Sequence, residues 1–270
     1  MAETRPITRS AGLTAGTEAE QTVRIRRIGA QEVRQALAQG LDDFAQQPSH
    51  LIFLGLIYPV VGFLLAQAAL DGEWVMLLFP IMAGFALVGP FAAVGIYEIS
   101  RRREQGLDTS WRHAFGVLRS PSRLSILLLG FLLMLLFIAW LAAALAIYRR
   151  TLGFYEPAGI VELLRQVLTT RAGWALIIIG NGIGLLFAVV VLSISVISFP
   201  LLLDRRVDAF TAMGASMRAV AVNPGAMALW GLVVAGALVA GSIPFFVGLA
   251  VVVPVLGHAT WHLYRKVVER

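Results

Sequence analysis

The sequence has 270 residues, of which 58% are hydrophobic and 14% charged, and its mean hydropathy is +0.79. Typical soluble domains contain about 25% charged residues, and a water-soluble fold of this size cannot bury this much apolar surface. The composition therefore excludes a soluble enzyme, an unstructured tail protein and a nucleic-acid-binding domain. It predicts an integral membrane protein whose main solvent is lipid.

The net charge is +6 and the isoelectric point is about 10.4. The arginines flank apolar stretches, so we expect anionic lipid headgroups, and not nucleic acid, as their counter-charge. The absence of cysteine excludes disulfides, zinc–thiolate sites and iron–sulfur clusters. Lys266 is the only lysine, which indicates a GC-rich, bacterial coding sequence.

Six stretches are long enough to span a bilayer core, which needs roughly 20 helical residues. They are residues 51–70, 74–97, 124–148, 173–203, 225–241 and 244–264. The fourth would be about 45 Å long if straight, so we expect it to tilt or to bend near Pro200. Gly241 and Pro244 separate the last two, as a helix stop followed by a helix start.

The distribution of basic residues predicts the orientation. Eighteen of the 22 arginines and lysines fall in alternate segments, namely 1–50, 98–123, 204–223 and the residues after 264, and the other four fall in 149–172. The positive-inside rule then places both termini in the cytoplasm. We expect residues 1–22 to be a disordered tail and residues 265–270 to be a cytoplasmic C-terminal tail.

Each predicted cytoplasmic segment contains an amphipathic helix that ends at a proline. These helices are 31–47 before Pro48, 110–120 before Pro121, and 209–223 before Pro224. Their apolar stripes are Val33, Leu37, Leu41 and Phe44; Trp111, Phe115 and Leu118; and Phe210, Met213, Met217 and Val220. Asp108 or Thr109 could cap the second helix and Asp208 the third. Such helices lie in the headgroup plane.

The predicted fold is therefore all-α: a polytopic membrane domain over 51–264, with six transmembrane helices as three hairpins. Short interfacial helices precede the hairpins, the first of them within 23–50. The threefold pattern is open to two interpretations, an internal repeat or the amphipathic linkers that any multi-span protein contains.

Four strings carry a family resemblance. They are Pro48-Ser49-His50-Leu51; Gly89-Pro90-Phe91 followed by Tyr97-Glu98-Ile99-Ser100-Arg101-Arg102; Ser198-Phe199-Pro200-Leu201-Leu202-Leu203-Asp204-Arg205; and Gly257-His258-Ala259-Thr260-Trp261-His262-Leu263-Tyr264-Arg265. In combination, over about residues 23–268, the chain resembles the bacterial predicted integral membrane proteins called domain of unknown function 2189 (DUF2189). The resemblance implies a polytopic inner-membrane protein without an established activity, and it carries over no catalytic residue.

His258 and His262 are the candidate metal ligands. They are four residues apart on one helix face, a spacing that can present two imidazoles to one ion. The sequence places no carboxylate beside them, and the glutamate of a zinc-protease helix is absent. The alternative is an interfacial belt together with Trp261 and Tyr264, and we expect no cofactor.

Glu98 and Asp204 each lie where a predicted span returns to the cytoplasm, followed by Arg101 and Arg102 or by Arg205 and Arg206. A carboxylate at the membrane edge is costly unless it is paired. We expect ion pairs that fix the span ends, with a proton or cation relay as the alternative.

Asn181 lies in the fourth span within a glycine-rich stretch. Gly180, Gly184 and Ala188 form a stripe of small residues suited to close helix packing. The alternative is a broken helix that lines a solute site, as in transporters.

The basic residues expected to face lipid headgroups are Arg101, Arg102, Arg103, Arg112, Arg119, Arg123, Arg205 and Arg206. Three functions remain open on the sequence alone. The first is a non-catalytic inner-membrane scaffold or accessory subunit that contacts anionic lipid and a membrane-protein partner. The second is a small-solute transporter or channel, and the third is a metal or haem protein.

Overall fold

A computed structural model describes residues 23–46, 72–244 and 247–269. The predicted tail 1–22 and the first predicted span, 51–70, lie outside these residues. Ten α-helices occur in the described part: α1 Ala30–Gln46, α2 Gly72–Ala92, α3 Val94–Glu104, α4 Arg123–Thr151, α5 Ile160–Thr169, α6 Arg171–Ser195, α7 Ser198–Asp204, α8 Ala209–Val222, α9 Pro224–Ser242 and α10 Leu249–Val267. A 3₁₀ helix, Trp111–Arg119, precedes α4.

Four helical stretches of the described chain are long and apolar enough to cross a membrane. They are Val75–Glu104, Arg123–Thr151, Arg171–Asp204 and Pro224–Ser242. They correspond to the second to fifth predicted spans. Large apolar side chains on their surfaces are exposed, as expected where lipid is the solvent.

The sixth predicted span, 244–264, is not among these four, so the described residues contain four candidate spans and not six. α10 starts at Leu249, and its C-terminal half carries His258, His262 and Arg265, which lower its hydropathy. This half is buried against other helices. α10 packs against α9, and each has 19 residues, about 28 Å of helix.

The long fourth span breaks before Pro200. α6 ends at Ser195 and α7 begins at Ser198. Pro200 has no N–H to donate to the carbonyl of Val196, so the helical hydrogen-bond pattern loses one bond at this point. The Ile197 N–H donates instead to Ser216 Oγ of α8, at 3.2 Å.

Trp140 of α4 joins three of the apolar helical stretches. Its Nε1–H donates to the Pro80 carbonyl of α2 at 2.8 Å. A Cβ added to Gly84 would lie 2.6 Å from the indole, and one added to Gly184 would lie 3.2 Å from it. The Phe187 ring contacts the indole edge-on at 5.8 Å between centroids. Glycines therefore let the helices close around one large aromatic side chain.

α1 packs along α10 with a face that the sequence predicted only in part. Only Val33 of the expected stripe is fully buried, and Leu41 is 50% exposed. The packed face also contains Ala36 and Gly40. A Cβ on Gly40 would lie 2.6 Å from the Cβ of Ala259, so the two helices touch through their smallest residues.

α8 repeats this arrangement. Its buried face consists of Ala209, Ala212, Ala215, Ser216 and Ala219. Phe210, from the predicted stripe, is 80% exposed and Met217 is 48% exposed. Small residues therefore pack against the protein while large apolar ones point outward, as lipid at an interface permits. Asp208 caps the helix as predicted, accepting from the Thr211 N–H at 2.9 Å.

α5 was not predicted as a helix. It follows α4 at the end of the bundle opposite to Arg101, and none of its residues is buried. Its apolar side chains are exposed, Val161 by 78% and Leu164 by 50%. The three- and four-residue spacing of Val161, Leu164 and Leu168, with Glu162 and Arg165 in the intervals, is the amphipathic signal that could have identified it.

Candidate functional site at the arginine-rich end

The two ends of the described chain meet at the start of α9. Ile25 and Val268 form an antiparallel bridge. Asn223 holds the incoming segment: its Oδ1 accepts from the Ile28 N–H at 2.7 Å, and its Nδ2 donates to the Arg26 carbonyl at 3.0 Å. This end of the helical body also carries most of the arginines, and we call it the arginine-rich end.

A buried polar cluster ties α1 to α3 and α10. We call it the Asp43 cluster, and it consists of Asp43, Ser100, Arg103, His258 and His262. Asp43 Oδ2 accepts from Ser100 Oγ at 2.8 Å and lies 2.9 Å from His262 Nε2. Its Oδ1 accepts from Arg103 Nη1 at 2.6 Å. A carboxylate that is 5% exposed is thereby fully satisfied.

The tautomer of His258 follows from its neighbour. His258 Nδ1 lies 2.7 Å from Ser100 Oγ. Because the serine hydroxyl gives its one hydrogen to Asp43, the imidazole must donate from Nδ1–H. Its Nε2 then carries a lone pair, and this atom is buried without a partner among the described residues. Burial lowers the pKa of His258 to about 4, despite the opposing charge of Asp43, so the ring is neutral at pH 7.

Asp43 is ionised in this cluster. Burial acts to raise the pKa of Asp43, but the hydrogen bonds from His262 and Ser100 outweigh it and hold the pKa below its usual range. Arg103 compensates the charge. The carboxylate that the sequence did not place beside the two histidines is therefore Asp43, 219 residues before His262 in the chain.

The predicted metal ligands face this one carboxylate. His258 Nδ1 lies 3.7 Å and His262 Nε2 lies 2.9 Å from Asp43 Oδ2. Across residues 23–46, 72–244 and 247–269, no group of three or more histidine, cysteine, aspartate or glutamate side chains is arranged to hold a metal ion. The contacts that use the imidazole nitrogens link helices.

A second polar group joins α10 to α3 and α7. Arg265 lies 2.8 Å from Glu104 Oε1 and 3.0 Å from Asp204 Oδ2. The Tyr264 hydroxyl donates to Asp204 at 2.5 Å, and the Trp261 Nε1–H donates to Glu104 at 3.1 Å. Burial and the carboxylate of Asp204 raise the pKa of Tyr264, so the phenol remains a donor.

Glu98 and Asp204 are both engaged by arginines, but by different routes. Arg101 donates two hydrogen bonds to the Glu98 carboxylate, at 2.8 and 2.9 Å. Among the described residues Asp204 pairs with Arg265 of α10, at 3.0 Å, and not with the arginines that follow it in the chain. Arg205 donates to the backbone carbonyl of Glu269.

A cleft of about 370 Å³ opens between α3, α7 and the segment that leads into α4. We call it the arginine cleft. It is lined by Glu98, Arg101, Gly116, Val117, Arg119, Ser120, Pro121, Ser122, Leu202, Leu203, Asp204, Arg205 and Arg206. Arg119 and Arg206 are exposed, and neither forms an ion pair with any residue that the structure describes.

The basic residues predicted to face lipid divide into two groups. Arg101, Arg102 and Arg103 contact protein: Arg102 donates to the Asp108 carbonyl at 2.6 Å, and Arg103 bridges to α1. Arg205 is also engaged by protein. The exposed ones are Arg112, Arg119, Arg123 and Arg206.

Asn181 lies far from the arginine cleft. It is exposed on α6, and its Nδ2 donates to the Ile177 carbonyl one turn back, at 2.8 Å. Within the predicted stripe of small residues, Gly184 packs against Trp140, whereas a Cβ on Gly180 would meet nothing within 4 Å. Of the two glycines in the predicted stripe, only Gly184 therefore packs against another helix.

Comparison with known proteins supports the membrane assignment. Residues 78–204 match the family model described as predicted integral membrane protein (DUF2189), which confirms the resemblance over this region. The motif that begins at Gly89 lies inside the match, as does most of the one that begins at Ser198, whereas those that begin at Pro48 and Gly257 lie outside it. Neither a curated protein nor a solved structure matches the chain.

Proposed function

We propose that this protein is a non-catalytic scaffold or accessory subunit of the bacterial inner membrane. One observation carries the proposal: the side chains best suited to chemistry are used to join helices. Asp43 holds Ser100, His258 and His262 together across three helices. Groups committed to each other in this way stabilise one arrangement and are poorly placed to react with a substrate.

The second polar group supports the same function. Arg265 of α10 forms ion pairs with Glu104 of α3 and Asp204 of α7. These pairs link α10 to the ends of two membrane stretches. Together with the Asp43 cluster, these contacts build a platform of α1, α3, α7 and α10 at the arginine-rich end. A rigid platform of this kind suits the docking of a partner subunit.

We further propose that this platform faces the cytoplasm. The arginine-rich end holds most of the basic residues, which the positive-inside rule assigns to the cytoplasmic side. The bridge between Ile25 and Val268 brings both ends of the described chain to this side. Anionic lipid is then the expected environment of the exposed arginines.

A transporter is the weaker alternative. The arginine cleft reaches Glu98, but its lining residues all lie at one end of the bundle. Glu98 is held by Arg101, and Asn181 is exposed and bonded to its own helix. A solute path would need at least one of these polar groups to be available inside the bundle.

The test is the composition of the native assembly. Tagged full-length protein, expressed at native level, is solubilised in mild detergent and analysed by native gel electrophoresis with quantitative proteomics. We expect a complex larger than the 29.2 kDa chain, with one membrane partner in fixed stoichiometry. A chain that migrates alone, or a proton flux in proteoliposomes that Glu98→Gln abolishes, contradicts the proposal.

A further inference from the structure

We infer that the arginine cleft binds the phosphate headgroup of one anionic phospholipid, whose acyl chains lie along the first turns of α4. This inference rests on the proposed function and gives its lipid contact a defined site. It depends on the charge of the cleft, its hydrogen-bond donors and its position beside an apolar surface.

The charge of the cleft is positive after its internal pairs are counted. Glu98 is paired with Arg101 at 2.8 Å, and Asp204 is paired with Arg265 at 3.0 Å, a guanidinium that Glu104 shares. Arg119 and Arg206 line the same cleft without an ion pair to any described residue. Two guanidinium groups are thus left for a ligand, and guanidinium matches the planar geometry of phosphate oxygens.

Arg205 adds a third positive charge. Its guanidinium donates to the Glu269 backbone carbonyl, a neutral group, so the contact orients the side chain without cancelling its charge. The cleft therefore binds an anion in preference to a zwitterion or a cation.

Serine hydroxyls supply further donors beside these arginines. Ser120 and Ser122 line the cleft where the chain enters α4. Ser120 Oγ accepts from the Ser122 N–H at 3.2 Å, which leaves the Ser120 hydroxyl hydrogen for a ligand. The Ser122 side chain forms no capping bond with the first turn of α4, and the dipole at a helix N-terminus favours an anion.

The neighbouring surface selects a lipid over free phosphate. α4 begins directly after Ser122 and belongs to the apolar membrane stretch Arg123–Thr151. Leu124 is 66% exposed and Leu128 is 54% exposed, and they follow the cleft residue Ser122 by two and six residues. A charged cleft that adjoins exposed leucines matches a molecule with an anionic head and apolar chains.

The cleft also has a suitable size. Its volume of about 370 Å³ falls within the usual range for small-ligand pockets, about 300–1,000 Å³. A glycerophosphate headgroup fits this space, whereas a whole phospholipid does not. The acyl chains must therefore leave the cleft toward α4.

The experiment is native mass spectrometry of the detergent-purified full chain with phosphatidylglycerol or phosphatidylcholine. The test variant is Arg119→Gln with Arg206→Gln. The matched control is Arg112→Gln with Arg218→Gln, two exposed arginines outside the cleft. We expect one tightly bound phosphatidylglycerol, a loss of affinity of about tenfold or more in the test variant, and a change of less than about twofold in the control.

The outcomes separate this inference from the proposed function. If the test and control variants lose the same affinity for phosphatidylglycerol, the cleft is not the binding site. A diffuse basic face that contacts lipid then remains consistent with the data. No preference of the wild type for phosphatidylglycerol overturns both the cleft and the diffuse basic face as lipid sites, whereas the scaffold function is tested separately by the composition of the native assembly. If millimolar inorganic phosphate displaces the lipid, free phosphate is the ligand and the proposal of a bound phospholipid is overturned. A gel-filtration profile identical to the wild type establishes that each variant is folded.

Discussion

Gly40 of α1 lies against Ala259 of α10 so closely that an added Cβ would come within 2.6 Å of the Ala259 backbone nitrogen. The contact brings Asp43, one turn further along α1, to His258 and His262. The polar cluster at the arginine-rich end therefore depends on a position where no side chain is tolerated.

Gly40→Ala should separate α1 from α10. Overpacking of this kind costs about 1–3 kcal/mol, so we expect a lower melting temperature in detergent and faster proteolysis near α1. The matched control is Gly236→Ala in α9, where a Cβ would meet nothing within 4 Å. Since alanine favours helix, the control should be neutral or stabilising; equal effects of the two substitutions would contradict the close contact.

Acid should weaken the protein through His258. Its pKa is about 4 in the folded chain, against 6.5 for an unperturbed histidine, so the unfolded chain binds the proton more tightly. Stability then falls as the pH falls from about 6.5 to about 4, by on the order of 3 kcal/mol. The pKa of Asp43 is lowered in the folded chain, so protonation of Asp43 removes further stability as the pH falls below the ordinary pKa of an aspartate.

His258→Asn removes the titrating group while its amide can still donate to Ser100. We expect this variant to be less stable than the wild type at pH 7. Its melting temperature should decrease less than that of the wild type between pH 7 and pH 4. A variant whose melting temperature falls as steeply as that of the wild type would show that another group causes the acid loss.

The extent of prediction from sequence is clearest at the helix faces. The apolar length of residues 124–148 and 225–241 correctly predicted membrane stretches, because hydropathy over about 20 residues reports the solvent directly. The prediction for the packed face of α1 was right for Val33 and Leu37, which pack against the core, but wrong for Leu41, which is 50% exposed. In a lipid environment large residues can remain outside while Gly40 allows close contact.

The candidate site was predictable only in its local part. The spacing of His258 and His262 correctly indicated a shared face, and both rings contact the same carboxylate. Asp43 could not be identified, because its helix lies more than 200 residues away and an aspartate in an amphipathic helix normally indicates a solvated surface. The pairing of Arg265 with Asp204 has the same long-range origin.

Asn223→Ala should release the first described segment. The side chain satisfies the Ile28 N–H and the Arg26 carbonyl, and leaving such groups unpaired costs about 1–3 kcal/mol. We expect faster tryptic cleavage after Arg24, Arg26 and Arg27, measured by mass spectrometry.

Asn181→Ala is the control for that experiment. Its amide donates to its own helix and the side chain is exposed, so we expect cleavage rates equal to those of the wild type. Unchanged cleavage in Asn223→Ala would contradict the anchoring of the segment.

Trp140→Phe should loosen the membrane helices. The substitution keeps the aromatic ring but removes the donor to the Pro80 carbonyl, at a cost of about 1 kcal/mol. Trp174→Phe, at a 53% exposed position, is the control and should have a smaller effect. Thermal unfolding in detergent measures both, and an equal response would contradict a packing role for Trp140.

The most direct test of membrane embedding and orientation is cysteine accessibility, because the natural chain contains no cysteine. Single cysteines at Gln105, Ala158 and Leu128 are treated with a membrane-impermeant maleimide in intact spheroplasts and in permeabilised cells. We predict labelling of Ala158→Cys in intact spheroplasts, of Gln105→Cys only after permeabilisation, and of Leu128→Cys in neither. Labelling of Leu128→Cys, or of Gln105→Cys in intact spheroplasts, would contradict a lipid-embedded body whose arginine-rich end faces the cytoplasm.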